Sequence, residues 1–88
     1  MVDMNAPKIK TVKTLEDKKL LVKFENEVEK IYDCHQLLHL AVFQPLKNDA
    51  FFKLAKVDSG GYGISWNDEV DLSEYELWTN SIELSLVK

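Results

Sequence analysis

Residues 62–73 read Tyr-Gly-Ile-Ser-Trp-Asn-Asp-Glu-Val-Asp-Leu-Ser and combine a strand, a turn and the start of a helix. The residues Gly60-Gly61 just before them suit a two-residue hairpin loop of type I′. We therefore predict a β-hairpin between residues 54–58 and residues 62–66. The expected register sets Val57 beside Ile64 and Ala55 beside Trp66.

Downstream of this hairpin, the sequence predicts a turn over residues 67–69, a short extended piece over 70–72 and then a helix. Ser73, with Glu76 three residues later, forms a capping box, which is typical of a helix N-terminus. Residues 81–88 alternate weakly between apolar and polar side chains, so they form either a final edge strand or a loose tail. The apolar side chains of the predicted helix are Tyr75, Leu77 and Trp78.

Upstream, a second hairpin is predicted. Residues 9–15 are rich in β-branched side chains but alternate imperfectly, which indicates an edge strand or a bulge. Residues 20–24 alternate cleanly and return as residues 28–32 through a three-residue loop, 25–27. That loop requires a positive φ near Glu27, at a strain of about 1 kcal/mol for a residue with a Cβ. The expected pairs are Phe24 with Val28, Lys23 with Glu29, and Leu21 with Ile31.

The segment between the two hairpins is predicted to be helical. Asp33 is the expected N-cap of a short helix over residues 34–40, which must end before Pro45. Asn48 is expected to cap one further turn that carries residues 51–52. The side chains predicted to be buried in the first helix are Leu37, Leu38, Leu40 and Ala41.

These elements predict the fold class. We expect a small α+β domain, with two β-hairpins plus edge pieces in an antiparallel sheet and two short helices packed on one face. A chain of 88 residues has room for one domain. The predicted boundaries are a flexible N-terminus over residues 1–8, the domain over 9–80, and the tail or edge strand over 81–88.

The charge of the chain is informative about partners. All 11 basic residues are lysine, and with 15 acidic residues they give a net charge of −4. Arginine is the preferred reader of guanine edges, so its absence from a negatively charged chain argues against direct nucleic-acid binding. Residues 1–23 carry six lysines and three acids, whereas the remainder carries five lysines and twelve acids. The acidic remainder is either a solvated surface or a surface that meets a basic partner.

The composition also bears on location. The longest apolar run, residues 40–43, is far shorter than the roughly 20 residues that cross a bilayer, so no membrane association is expected. Residues 1–10 do not have the pattern of a signal peptide. Cys34 is the only cysteine, which excludes an intramolecular disulfide and fits a reducing compartment. We therefore expect a cytoplasmic protein.

Few residues have the chemistry of a catalytic or metal site. His35 and His39 would share one face of a helix and could coordinate one metal ion, but a zinc site usually needs a third ligand nearby. Cys34 would need a base to act as a nucleophile. The glycines within residues 60–63 lead into a strand pattern, whereas phosphate-binding loops lead into a helix. We therefore predict no catalytic residue, no metal and no cofactor.

The acidic cluster that follows the second hairpin is the better candidate for a binding surface. Its carboxylates lie beside large aromatic side chains, and tryptophan anchors interfaces more often than other residues do. In so small a domain, the aromatic side chains are either core residues or interface residues. The candidate partner-binding residues are Trp66, Asp68, Glu69, Asp71, Tyr75 and Trp78.

The chain resembles a bacterial family of domains of unknown function, number 2442. The signature is the stretch over residues 62–73, above all Gly-Ile-x-Trp-x-Asp-x-x-Asp-Leu. Residues 20–24, 45–48 and 77–80 agree with it in order, so the resemblance covers most of the chain. There are two departures: Glu27 stands where the family usually has glycine, and Ser81 stands where glycine often follows the last helix.

This resemblance implies a small α+β domain with no established catalytic residues. Some members of the family are fused to a helix-turn-helix domain, for which these 88 residues have no room. Other members are encoded beside a second family of unknown function, number 4160, in pairs suggested to be toxin–antitoxin systems. The resemblance places this chain on the antitoxin side of such a pair.

The leading functional hypothesis is a non-enzymatic interaction module, the acidic, antitoxin-like member of a bacterial pair, which binds a small basic protein. The alternative is a regulatory or sensing domain that binds a small ligand in a pocket near the aromatic residues. A small enzyme that uses Cys34 and the two histidines would instead predict a reactive thiol with a depressed pKa. Homodimerisation through an exposed sheet edge is compatible with the first two hypotheses.

Overall fold

A computed structural model describes residues 6–84 of the chain. The predictions for residues 1–5 and 85–88 lie outside the described residues. The elements are β1 (Ile9–Leu15), β2 (Lys19–Phe24), β3 (Glu29–Asp33), α1 (Asp49–Phe52), β4 (Lys56–Val57), β5 (Gly63–Ser65), β6 (Asp71–Ser73), α2 (Glu74–Thr79) and β7 (Ile82–Glu83). Three 3-10 segments, Cys34–Leu37, Ala41–Lys47 and Ser59–Gly61, connect them.

The first hairpin has the predicted register. In the four-stranded antiparallel sheet β1-β2-β3-β7, Lys23 pairs with Glu29 and Leu21 with Ile31. Glu27 has the expected positive φ of 73° in the loop that joins β2 to β3. The strand β1 lies at the edge and its register shifts between Ile9 and Thr11, so the imperfect alternation reflects both an edge position and a bulge.

The α+β class is confirmed, but the strands divide into two antiparallel sheets and not one. The second sheet has the order β4-β5-β6, and Val57 pairs with Ile64 as predicted. Its edge strand β4 lies beside β1 without joining the ladder of the first sheet. The bulge at the start of β1 and the shortness of β4, two residues long, account for this break.

The type I′ loop predicted for the second hairpin is wrong. The hairpin closes where the Asp58 N–H donates to the Gly63 carbonyl at 2.8 Å, which leaves residues 59–62 in the loop. Gly60 has φ 82° and ψ −4°, the values of the third residue of a type II turn. Gly61 is seated on the backbone of β1, because a Cβ there would lie 2.6 Å from the Ile9 carbonyl oxygen.

The helix predicted over residues 34–40 is also wrong. Asp33 does act as the N-cap, with its side chain accepting from the His35 N–H, but the segment is a 3-10 turn that ends at Leu37. A second 3-10 segment, Ala41–Lys47, follows and contains Pro45. The Gln44 side chain stabilises the non-helical residues between the two 3-10 segments by donating to the carbonyls of Leu38 and Leu40. The side chains of Leu40 and Ala41, predicted to be buried, are exposed.

One hydrophobic core lies between the two sheets and the helices. Asn48 caps α1 as predicted, with its Oδ1 accepting from the Phe51 N–H at 2.9 Å. Ser73 caps α2 by accepting from the Glu76 N–H at 3.1 Å. The short strand β7 pairs with β3, so residues 82–83 form an edge strand, one of the two alternatives expected for residues 81–88. The core residues are Ile9, Leu20, Val22, Phe24, Tyr32, Cys34, Leu37, Leu46, Phe52, Ile64, Trp66, Val70, Leu72 and Leu77.

Candidate functional site

The acidic cluster follows β5 in a well-formed turn. The Asn67 side chain accepts from the N–H groups of Glu69 and Val70, both at 2.8 Å, and the Trp66 N–H donates to the Val70 carbonyl at 2.9 Å. This turn fixes the backbone that carries Asp68 and Glu69, whose side chains point to solvent. The carboxylates therefore project from a hydrogen-bonded turn.

The cluster continues along β6 into the first turn of α2. Asp71 is exposed at the start of β6, whereas the neighbouring Leu72 is buried, as the period of two in a strand requires. Glu74 and Tyr75 follow at the start of α2. We call the exposed or partly exposed set Asp68, Glu69, Asp71, Glu74 and Tyr75 the acidic surface.

The negative charge of this surface is not neutralised within the described part of the chain. Residues 57–87 contain seven acidic residues and no basic residue. Asp58 and Glu76 are used internally: Asp58 accepts from the Ser65 hydroxyl at 2.6 Å and Glu76 accepts from the Tyr32 hydroxyl at 2.8 Å. Every ion pair within residues 6–84 lies elsewhere and involves none of the four carboxylates of the acidic surface.

The three candidate aromatic residues have different environments. Trp66 is only 4% exposed, stacks obliquely on Phe52 and donates its indole N–H to the Phe52 carbonyl at 2.8 Å. It belongs to the core, so we leave it out of the acidic surface. Tyr75 is 47% exposed and belongs to that surface.

Trp78 lies between core and solvent. The centroids of its ring and the Phe24 ring are 5.0 Å apart in an edge-to-face arrangement. The Lys30 ammonium lies 3.8 Å from the centroid of the Trp78 ring. The same ammonium donates to the Trp78 carbonyl at 2.6 Å. This lysine covers the open side of the indole and fixes the end of α2, so Trp78 has a structural role at the rim of the acidic surface.

The cysteine and the two histidines do not come together. Cys34 is fully buried, and burial raises the pKa of its thiol to about 12, which makes it a poor nucleophile. His35 and His39 share no helix face because the 3-10 turn ends between them. Residues 6–84 contain no group of three or more His, Cys, Asp or Glu side chains placed to hold a metal ion.

His35 has a structural role instead. Its Nδ1 lies 2.7 Å from the Asp33 carboxylate, and its Nε2 lies 3.5 Å from the carboxylate of Asp17 in the β1–β2 turn. The hydrogen bond from the His35 backbone N–H holds the pKa of Asp33 below its usual value. These contacts tie the end of β3 to the turn between β1 and β2, at a point where the chain must change direction.

The glycines at residues 60–63 have structural roles. The loop leads into β5, as predicted, so it lacks the helix N-terminus that would bind a phosphate. At Gly63, a Cβ would lie 2.5 Å from the carbonyl oxygen of Leu72 in the neighbouring strand. Gly63 therefore permits the close approach of β5 and β6 that positions the acidic surface.

A groove of about 330 Å³ opens on another side of the molecule, between the β1–β2 turn and α1. Lys18 on its wall is bound to Asp49, and this ammonium lowers the pKa of the Asp49 carboxyl. Asp17 and Lys18 both have positive φ values, 63° and 59°, which the sequence did not predict. The lining residues are Thr14, Leu15, Glu16, Asp17, Lys18, Asp49, Phe52 and Lys53.

Comparisons with known proteins agree with the sequence signature. None of the helices in residues 6–84 is long and apolar enough to cross a membrane. Searches of curated proteins and of solved structures gave no significant match. A family model described as Protein of unknown function (DUF2442) matches residues 9–83, which include β1–β7, α1, α2 and the acidic surface. This chain therefore belongs to the DUF2442 family.

Proposed function

We propose that this chain is a non-enzymatic protein-interaction module of the cytoplasm that binds a small basic protein through the acidic surface. The observation that carries the proposal is the absence of any basic residue from residues 57–87, combined with four carboxylates free of ion pairs within the described chain. Complementary charge accelerates association and selects among partners. The antitoxin-like role implied by the family resemblance is the specific form of this proposal.

The backbone that carries the four carboxylates of the acidic surface also favours binding. The Asn67 turn and the pairing of β5 with β6 hold the carboxylates in place without using their side chains. A preorganised surface loses less conformational entropy when it binds a partner. Tyr75 adds an exposed aromatic ring of the kind that anchors interfaces.

Co-purification with a tagged full chain from the source cells tests the proposal. We expect a small basic protein to be recovered in stoichiometric amount, and we expect the variant D68N/E69Q to lose it. The variant E16Q/E25Q is the matched control, because it removes the same charge from two exposed turn residues outside the acidic surface. Equal recovery with both variants, or recovery of no basic protein, would contradict the proposal.

The groove beside α1 favours a second candidate function, the binding of a small regulatory ligand. Its volume suits a small molecule, its floor includes the apolar side chains of Leu15 and Phe52, and Lys53 offers an ammonium without an ion pair among the described residues. A thermal-shift screen of anionic metabolites tests this candidate. A stabilising ligand should lose its effect in Lys53→Glu and keep it in Lys47→Glu.

A further inference from the structure

Within residues 6–84, the outer face of the four-stranded sheet carries exposed or partly exposed side chains, and none of them belongs to the buried core. Strand residues alternate between the two faces, and the core residues Leu20, Val22 and Tyr32 mark the inner face. Helix α2 lies on that inner side, since Glu76 and Trp78 contact Tyr32 and Phe24. The outer face therefore carries the side chains of Thr11, Lys13, Leu15, Lys19, Leu21, Lys23, Glu29, Ile31, Asp33 and Ile82.

An apolar row crosses the middle of this face. Leu21 pairs with Ile31, and Ile31 pairs with Ile82, so the three side chains lie side by side on β2, β3 and β7. None of them belongs to the core or packs against it, and Ile82 is 76% exposed. Neighbouring apolar side chains in one row of a sheet face form a contiguous patch, and such patches often mark interaction surfaces.

Charged rows flank the apolar row on both sides. Lys23 lies opposite Glu29 in one row, and Lys19 lies opposite Asp33 in the other. The lysine is on β2 and the acid on β3 in both rows. With Lys13, the strand residues of the face carry three lysines and two acids. Lys23 and Lys19 also bind the carboxylates of Glu27 and Asp17 in the adjoining loops, each at 3.2 Å, so the face is close to balanced in charge although the chain has a net charge of −4.

We propose that a second copy of this chain covers the outer face, in a two-fold symmetric dimer whose sheets pack face to face. A two-fold axis that runs parallel to the strands between β2 and β3 places each β2 over the partner's β3. Leu21 then meets Ile31, and Lys23 meets Glu29, twice in each dimer. An axis at right angles to the strands would instead set lysine over lysine, so the charge pattern selects one arrangement.

The size of the face sets the expected affinity. Four strands at about 4.8 Å spacing and five residues at about 3.4 Å cover roughly 19 by 17 Å. At roughly 320 Å² on each copy, the face is smaller than the interface of a standard stable complex, so the dimer is weak and reversible. Packed sheets of this kind align their strands to within about 30°. The residues of the acidic surface belong to the turn after β5, to β6 and to α2, none of which forms the proposed dimer face, so this inference does not rest on the proposed function.

Sedimentation equilibrium of the full chain tests the dimer over a range from about 10 μM to about 1 mM. We expect the mass to rise from that of one chain towards that of two. K23E and E29K each create two like-charge contacts per dimer, so each should raise the dissociation constant about tenfold. Lys47→Glu is the matched control, because it changes the net charge as K23E does but lies at the exposed end of the 3-10 segment Ala41–Lys47, outside the strands of the face.

Mixing the two charge variants gives the decisive result. K23E carries only acids in this row and E29K carries only lysines, so an equimolar mixture should form a heterodimer at least as tightly as the unmodified chain dimerises. Thermal unfolding of each variant checks that it is folded. Ile82→Lys is a further test outside the charged rows: the residue is 76% exposed, and the substitution should weaken the dimer. A mass of one chain at every concentration, or no association in the mixture, would overturn the proposal.

Discussion

At the scale of single residues, the most consequential contact joins side chains that are far apart in sequence. The Tyr32 hydroxyl donates to the Glu76 carboxylate at 2.8 Å across 44 residues. Burial, reinforced by this carboxylate, raises the pKa of the tyrosine. Glu76 was predicted to complete a capping box, but its carboxylate reaches Tyr32. The sequence gives no signal for this hydrogen bond. The two residues become neighbours only because α2 packs on the sheet, and no local sequence pattern predicts that packing.

Replacement of Tyr32 by Phe should destabilise the chain by about 1–2 kcal/mol, because it removes a half-buried hydrogen bond to a charged group. Urea unfolding followed by circular dichroism measures the effect. Tyr75→Phe is the matched control, since Tyr75 is exposed, and it should change stability by less than about 0.5 kcal/mol. Equal effects of the two substitutions would disprove the role assigned to the Tyr32 hydroxyl.

The cap at Asp33 gives a pH dependence with a definite sign. Its folded pKa is lowered, chiefly by the His35 N–H, so its contribution is complete above the unfolded value of about 3.9 and is lost as the pH falls through the folded value. Asp33→Ala should cost about 1 kcal/mol at pH 7 and progressively less below about pH 4. Urea unfolding of both proteins from pH 7 to pH 3 checks this, and a cost that does not vary with pH would contradict it.

At the scale of elements, the turns determined what could be predicted. The register of β2 with β3 was predictable, because a three-residue loop pairs apolar residues with apolar residues and lysine with glutamate across the two strands. Local capping residues predicted α1 and α2 for the same reason, since Asn48 and Ser73 act on neighbouring backbone. The helix over residues 34–40 was mispredicted because the Gln44 side chain donates to the carbonyls of Leu38 and Leu40, and hydrophobic periodicity does not report such hydrogen bonds.

The β2–β3 loop gives a prediction of increased stability. Glu27 has φ 73°, a conformation that costs a residue with a Cβ about 1 kcal/mol and costs glycine almost nothing. Its ion pairs with Lys10 and Lys23 are exposed and are worth little. Glu27→Gly should therefore stabilise the chain by up to about 1 kcal/mol in urea unfolding. Glu25→Gly, in the same loop without a positive φ, should destabilise it instead.

At the scale of the whole molecule, two sheets of unequal extent share one core. The first sheet has longer strands, and β2 at its centre has ladder partners on both sides and three fully buried side chains, Leu20, Val22 and Phe24. The second sheet has strands of two or three residues. Alternation within a strand predicts which residues face the core, but the division into two sheets depends on which edges meet, and no local pattern specifies that.

This asymmetry predicts an order of backbone opening. Amide hydrogen exchange should be slowest in β2 and in its partners on β3, because those amides open only with the core. The amides of β4–β6 should exchange faster, except where Ile64 and Leu72 are buried. Exchange monitored by two-dimensional NMR at neutral pH measures this order. Equal protection of the two sheets would show that they open as one cooperative unit.

The contrast between the two tryptophans gives the molecule two optical reporters. Trp66, enclosed beside Phe52, should emit at short wavelength and resist quenching by acrylamide, so its signal follows global unfolding. Trp78 lies partly exposed beside the Lys30 ammonium, so acrylamide should quench its fluorescence. Its emission should also change when the Lys30 side chain moves away from the ring. Fluorescence of W66F and W78F would then separate events at the surface from loss of the fold, without any attached label.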